Sequence, residues 1–136
     1  MATAQAVLPF TDAAAVARHI AYLARMVTEG VVPAEVSAKA RKAWELARAA
    51  VPGLPVPMAV AYEGGPIHYT WDNDRHVIAL EALSAGQPCE WYVSDRRSGE
   101  FDGGDFDLAD GLPAPVTALM QEYLAWHPTS PTDGNR

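Results

Sequence analysis

The chain has 136 residues, a length that suits one domain with a continuous core. The sequence has no apolar run near the ~18 residues of a membrane span and no basic secretory signal, so an intracellular location is expected. It has only one cysteine, Cys89, which excludes an internal disulfide. The net charge of −7 is concentrated in residues 58–136, whose balance of −9 disfavours direct nucleic-acid binding, since phosphate-binding surfaces need clustered positive charge.

The first 57 residues have the pattern of an antiparallel helical hairpin. Helical spacing of apolar residues predicts a first helix over about residues 11–29, with Thr11 or Asp12 as its N-cap. Its predicted buried stripe consists of Val16, Ile20, Leu23 and Val27. A second helix is predicted from Pro33 to about Ala50, because proline suits the first helical position. The predicted buried face of this helix holds Val36, Ala40, Ala43 and Ala47. Three prolines in residues 52–57 then end it.

Residues 58–95 have the composition of four short strands joined by tight turns. The strands are rich in β-branched and aromatic residues and are predicted at Met58–Tyr62, Ile67–Trp71, His76–Leu83 and Glu90–Asp95. Connections this short join antiparallel neighbours, so a meander is expected. A turn centred on Asn73-Asp74 predicts three cross-strand pairs that share the face toward the helices: Trp71 with His76, Tyr69 with Ile78 and Ile67 with Leu80. The last connection leaves open whether Trp91 and Val93, or Tyr92, joins this face.

The remaining sequence predicts an irregular segment, a helix and a tail. Turns are expected at Ser98-Gly99 and Gly103-Gly104, and a last helix is expected from about Pro113 to Trp126. The predicted fold is therefore α+β, with the N-terminal helical hairpin and the C-terminal helix packed on a four-stranded antiparallel meander sheet. We expect a single domain over residues 8–127 and a mobile tail over residues 128–136.

No set of residues has the spacing of a known catalytic motif. His68 and His76 are predicted on opposite sheet faces, so they do not serve one site with Cys89. Glu81 and Glu90 fall on adjacent predicted strands. Paired carboxylates divide the acid and base roles in some enzymes. The alternative is that the two glutamates form ordinary surface ion pairs with nearby arginines. The acidic segment 102–111 offers oxygen ligands for Ca²⁺, but its spacing does not match an EF-hand loop. We therefore expect no metal and no cofactor, and enzymatic activity is the less favoured hypothesis.

The acidic sheet half and the aromatic strands favour a small, acidic, intracellular protein-binding module, such as an inhibitor, an immunity-type antitoxin or an accessory subunit. A partner protein with a basic surface would be attracted to it, whereas the simpler alternative is that the acidic residues only keep the chain soluble. Aromatic side chains are typical interface anchors. The candidate partner-binding residues are Trp71, His76, Trp91, Tyr92, Asp102, Asp105 and Asp107.

The alternative function is a small-molecule-binding protein or a minor enzyme that uses the uncovered sheet face. His68, Thr70 and Glu81 would then be its polar groups. The shape of that face distinguishes the two functions. An open face rimmed by acidic residues favours a protein partner, whereas a closed concave pocket favours a ligand.

Overall fold

A computed structural model describes residues 2–84 and 86–126, with side chains described from Asp12 onward. The described residues form three α-helices, five strands and a short 3₁₀ helix. In chain order these are α1 (Ala2–Thr28), α2 (Ala34–Ala50), β1 (Met58–Ala61), β2 (Ile67–Asp72), β3 (His76–Ala82), β4 (Cys89–Asp95), β5 (Phe101–Phe106), the 3₁₀ helix Leu108–Asp110 and α3 (Ala114–Ala125). The α+β class is confirmed, while the predicted tail lies outside the described residues. None of the helices in the described part has the length and apolar content needed to cross a membrane.

The sheet is a five-stranded antiparallel meander in the order β1-β2-β3-β4-β5. The prediction of four strands missed β5, which pairs with β4 where a turn was expected. Glycine and aspartate are depleted in strands, so the glycine- and aspartate-rich sequence of β5 does not indicate a strand. The packing of Trp91 explains the glycines: a Cβ at Gly103 would lie 3.0 Å from the Trp91 backbone oxygen, and one at Gly104 would lie 3.2 Å from the Trp91 indole nitrogen.

The β2–β3 pairing differs from the predicted register. Trp71 pairs with Ile78 rather than with His76, and Tyr69 pairs with Leu80. The turn is longer than predicted because the Asn73 side-chain oxygen accepts hydrogen bonds from the backbone N–H groups of Arg75 and His76, at 3.1 and 2.6 Å. Each partner moves by two positions, so the assignment of side chains to faces is unchanged.

The predicted facing of the central strands is confirmed. The buried set contains the six residues expected on the helix side, namely Ile67, Tyr69, Trp71, His76, Ile78 and Leu80. On β4, Val93 is buried and Trp91 is half-buried on this same side, whereas Tyr92 points to the opposite side. The contacts of α2 with β2 and β3, and of α3 with β3 and β4, place the core between these helices and the sheet.

The helix predictions are confirmed for α2 and corrected for α1. The α2 face formed by Val36, Ala40, Ala43 and Ala47 is fully buried, and Pro33 is the N-cap rather than the first helical residue. Helix α1 begins at Ala2, in a stretch rich in alanine, the best helix former, so Thr11 and Asp12 lie within the helix and do not cap it.

The buried face of α1 is rotated from the predicted stripe. Leu23 is buried as expected, but Ile20 and the two valines of the stripe are only partly buried. His19 and Met26 take their place, four residues before and three residues after Leu23. The rotation brings His19 to Tyr69 on β2, where the two side chains form a hydrogen bond.

Candidate functional site

The face of the sheet that turns away from the helices, called the outer face below, consists of three rows of cross-strand neighbours. The acidic row contains Val60, His68, Glu81, Glu90 and Asp105; the middle row contains Met58, Thr70, Ala79, Tyr92 and Gly103; the end row contains Asp72, Val77, Ser94 and Phe101. None of these residues is buried by the described part of the chain. Within the described part of the chain the outer face is therefore open, and the alternation of the strands fixes which side chains it presents.

Large apolar side chains are exposed on the outer face. Met58 is 71% exposed, Tyr92 43% and Phe101 73%, and Val77 and Ala79 lie between them on β3. Single exposed apolar residues are ordinary, but a group that shares one face marks an interaction surface. Tyr92 is the best-placed anchor because it lies on β4, between β3 and β5, with its ring on this face.

Three carboxylates stand side by side in the acidic row. Glu81 is directly opposite Glu90, and Glu90 is directly opposite Asp105. Glu81 has a partner, since its Oε2 lies 3.1 Å from Nδ1 of His68. Glu90 and Asp105 form no ion pair with any described residue. Like charges directly opposite one another destabilise a sheet, so the row is an unfavourable arrangement in the free protein.

The one carboxylate of the end row, Asp72, is paired with an arginine. Both terminal nitrogens of Arg96 donate to the Asp72 carboxylate, at 2.8 and 2.9 Å. These hydrogen bonds lower the pKa of Asp72 to about 2, so the pair persists across the physiological range. Arg96 therefore neutralises Asp72 in the end row rather than a carboxylate of the acidic row.

The structure separates the residues that the sequence proposed for partner binding. Trp71 is 1% exposed and its indole N–H donates to the Pro55 carbonyl at 2.7 Å, and His76 is also 1% exposed. Neither side chain is available at the surface, because alternation directs both to the core face. Trp91 is half-buried on the helix side, against Gly104. Of the four aromatic candidates, Tyr92 alone is on the outer face.

The three candidate aspartates do not share one surface. Asp105 belongs to the acidic row, whereas Asp102 pairs with Val93 and faces the helix side of the sheet. Asp107 caps the 3₁₀ helix, where its carboxylate accepts from the Ala109 N–H at 3.0 Å. The segment expected to be one acidic loop is therefore an edge strand followed by a helical turn. The expectation that it does not bind Ca²⁺ stays a prediction, testable by calorimetric titration of the wild type and Asp105→Asn.

A second acidic region lies beside α3. A cleft of about 540 Å³ opens between α3 and the β4–β5 hairpin, and its acidic lining residues are Asp95, Glu100, Asp102 and Glu122. Behind Glu122, the buried His76 has its Nε2 atom 3.8 Å from the glutamate oxygen and without a hydrogen-bond partner among the described residues. Ligand atoms of His76, Asp95 and Glu122 lie within 4.8 Å of one another, which makes this group the candidate metal centre.

The hydrogen bonds around this group oppose metal binding. The Asn73 oxygen accepts two backbone N–H groups, so its NH₂ group must be the donor to His76 Nδ1, at 3.2 Å. The imidazole proton is therefore on Nε2, the atom that a metal would need unprotonated. Asp95 is also engaged, because Arg75 donates two hydrogen bonds to it and lowers its pKa to about 2.

The structure reveals a buried pair that the sequence interpretation missed. His19 Nε2 lies 2.8 Å from the Tyr69 hydroxyl, and its ring also contacts the edge of Trp44. Burial, with a smaller contribution from Arg41, lowers the pKa of His19 to about 4, and burial raises the pKa of Tyr69. His19 is therefore neutral at pH 7 and joins α1 to β2. Its spacing of four residues from Leu23 was the signal in the sequence.

The structure places the other two candidate catalytic residues, Cys89 and His68, in different environments. Cys89 is buried, and burial raises the pKa of its thiol, which disfavours the nucleophilic thiolate. His68 pairs with Glu81 on the outer face, where both side chains are about one-third exposed. Thr70 lies beside His68 in the next row, also partly exposed. This open arrangement differs from the enclosed pocket that the small-molecule alternative requires.

Comparison of the chain with protein-family models, with curated proteins and with solved structures finds no match. The function is therefore argued from the geometry of the chain itself.

Proposed function

We propose that this chain is a small acidic protein-binding module, of the inhibitor, immunity-type antitoxin or accessory-subunit class, whose outer face binds a basic surface of a partner protein. The main support for this proposal is the acidic row. Glu90 and Asp105 stand opposite each other beside exposed apolar residues, and neither forms an ion pair with a residue that the structure describes. Their repulsion lowers the stability of the free sheet, and a lysine or arginine placed between them would relieve it.

The exposed aromatic residues supply the apolar part of the proposed interface. Tyr92 lies in the middle row, next to the acidic row, and Phe101 lies on the same face in the end row, on the far side of the middle row. Burial of such side chains against a partner contributes most of the affinity in typical interfaces, while flanking charges set the association rate and the choice of partner. The outer face therefore combines apolar side chains that would provide affinity with a row of negative charges that would select a basic partner.

The experiment is affinity capture, from the cells that make this protein, with variants of the outer face as bait. The bait proteins are the wild type, Glu90→Gln/Asp105→Asn and Tyr92→Ala/Phe101→Ala. Matched controls are Glu35→Gln/Glu63→Gln, which removes two exposed carboxylates elsewhere, and Leu124→Ala, which truncates an exposed apolar residue on α3. We expect one protein to be retained by the wild type and both controls and lost from both outer-face variants. Retention of every captured protein by the outer-face variants would contradict the proposal.

Binding kinetics with the captured partner test the division of roles. Removal of the two carboxylates should lower the association rate several-fold at low salt and have a smaller effect at high salt, because the attraction is screened. Truncation of Tyr92 should instead raise the dissociation rate, with a loss of at least ~2 kcal/mol. Equal effects on association at both salt concentrations would mean that the acidic row does not attract the partner.

A further inference from the structure

The rows of the outer face also indicate the shape of the partner. We propose, resting on the function above, that the partner contributes a basic amphipathic α-helix that lies across the strands, with its lysines or arginines over the acidic row. The carboxylates that would receive them are Glu81, Glu90 and Asp105, on three adjacent strands.

The spacing of the carboxylates matches a helix. Neighbouring strands are ~4.8 Å apart, so charged positions recur at about that interval along the acidic row. Residues three and four apart in a helix rise by ~4.5 and ~6 Å, so one helical stripe can meet three successive carboxylates. In an extended segment, side chains on the same side recur every ~6.8 Å and lose register after the first contact.

The width of the outer face and the sizes of its side chains are also compatible with a helix that lies across the strands. The middle row contains the small residues Thr70, Ala79 and Gly103, and Met58 and Tyr92 project from the same row. The side chains are short at these three positions, and Tyr92 stands between Ala79 and Gly103. The row crosses five strands, or ~19 Å, which corresponds to about 13 residues of helix. The apolar stripe of the helix would pack along this row and against Tyr92, while its basic stripe, offset to one side, reaches the acidic row.

Charge selects this occupant over a second copy of the chain. A second outer face would bring a further row of carboxylates and no cation from the described part of the chain to neutralise Glu90 and Asp105. A basic helix instead neutralises the row and buries the exposed aromatic residue Tyr92.

Two synthetic peptides of about 14 residues and identical composition test the inference. Both probes contain lysine and leucine in equal numbers: the helical probe groups the lysines on one helical face, including positions i, i+4 and i+7, with the leucines on the opposite face, and the extended probe alternates the two residues. Each is titrated into the ¹⁵N-labelled protein. We expect the helical probe to bind at least about tenfold more tightly and to shift the amides of residues 79–81, 90–92 and 103–105. Glu90→Gln/Asp105→Asn should weaken its binding about fivefold or more, whereas Glu35→Gln/Glu63→Gln should not change it.

The outcomes distinguish a failure of the proposed helical partner from a failure of the proposed function. Equal or tighter binding of the extended probe, shifts confined to the α3 cleft, or no binding of either probe at ~1 mM would overturn the helical partner. If the captured partner is still lost from the outer-face variants, the proposed function stands without the helix. If the variants retain the partner as well, both proposals fail. Sedimentation of the protein alone should show no concentration-dependent dimer, and a dimer abolished by Tyr92→Ala would assign the outer face to a second copy instead.

Discussion

Glu90 on β4 and Asp105 on β5 are directly opposite each other on an open sheet face, and no described residue neutralises either of them. The arrangement lowers the stability of the free protein, since cross-strand pairs of like charge are unfavourable. Residues that reduce stability in the free state are common where a surface is adapted to bind a partner.

Removal of one of the two charges should therefore stabilise the fold. We expect Glu90→Gln to raise the free energy of unfolding by a few tenths to ~1 kcal/mol at low salt, and by less at high salt where the repulsion is screened. Equilibrium denaturation measures the change. Glu63→Gln, an exposed glutamate outside the acidic row, is the control and should change stability by less than ~0.5 kcal/mol. A loss of stability in Glu90→Gln would show that the carboxylate is favourable in the free protein.

The buried histidine of α1 makes stability depend on pH. The folded-state pKa of His19 is about 4, below the ordinary value of 6.5, so the unfolded chain binds a proton first as the pH falls. The contribution of neutral His19 is complete above pH ~6.5 and is lost progressively toward pH ~4, to a total of roughly 2–3 kcal/mol. Burial also lowers the pKa of His76, which adds to the slope in the same direction. The paired carboxylates of Asp72 and Asp95 act at lower pH, below ~4.

Denaturation curves from pH 7 to pH 4 check the role of His19. The variant His19→Gln keeps a polar side chain that can bond the Tyr69 hydroxyl and does not titrate. We expect it to have a flatter dependence of stability on pH between 6.5 and 4 than the wild type. An unchanged slope would mean that His19 is not responsible.

The rotation of α1 predicts unequal effects at two apolar positions. Leu23 is buried, so Leu23→Ala should destabilise by roughly 2–5 kcal/mol. Ile20 is only partly buried, so Ile20→Ala should cost about half as much or less. Equal losses would favour the face that helical spacing alone indicates over the one seen in the structure.

Alternation and helical spacing correctly predicted most of the buried side chains of β2, β3 and α2, because those elements follow one dominant period, but not the buried Ser37 and Trp44 of α2 or Ala82 of β3. The same rules did not predict the rotation of α1, since a histidine with a buried hydroxyl partner is indistinguishable in sequence from one on the surface. Nor did they predict β5, whose glycines are explained by contacts with Trp91 on another strand. A predicted face was not enough to select the candidate residues, since Trp71 and His76 were expected to face the helices and were still proposed for partner binding. Asp102, Asp105 and Asp107 are close in sequence, yet they point in different directions.

The contacts of Trp91 make the two glycines of β5 unequal. A Cβ at Gly103 would meet the Trp91 backbone oxygen at 3.0 Å, and backbone in a paired strand cannot move away without disturbing the sheet. A Cβ at Gly104 would meet the Trp91 indole, which can rotate. We therefore expect Gly103→Ala to destabilise by roughly 1–3 kcal/mol and Gly104→Ala by less. Thermal or denaturant unfolding of the two variants gives the comparison, and the reverse order would contradict the assignment of the tight contact.

The final prediction concerns the metal chemistry of His76. Because the Asn73 NH₂ group donates to Nδ1, His76 should hold its proton on Nε2, and nitrogen NMR of the imidazole should show this tautomer at pH 7. We expect no stoichiometric Zn²⁺ binding tighter than ~10 μM at His76, Asp95 and Glu122, because the required lone pair is absent.

The substitution Asn73→Asp should move the imidazole proton of His76 from Nε2 to Nδ1. One carboxylate oxygen can still accept hydrogen bonds from the backbone N–H groups of Arg75 and His76, while the other accepts a hydrogen bond from the imidazole Nδ1–H, so Nε2 carries a free lone pair beside Asp95 and Glu122. Isothermal titration should then detect Zn²⁺ binding that the wild type lacks, and Asn73→Asp/Glu122→Gln should lose it. Tight Zn²⁺ binding by the wild type through Nε2 would show that the tautomer is not fixed by Asn73, and would promote the α3 cleft to a metal site.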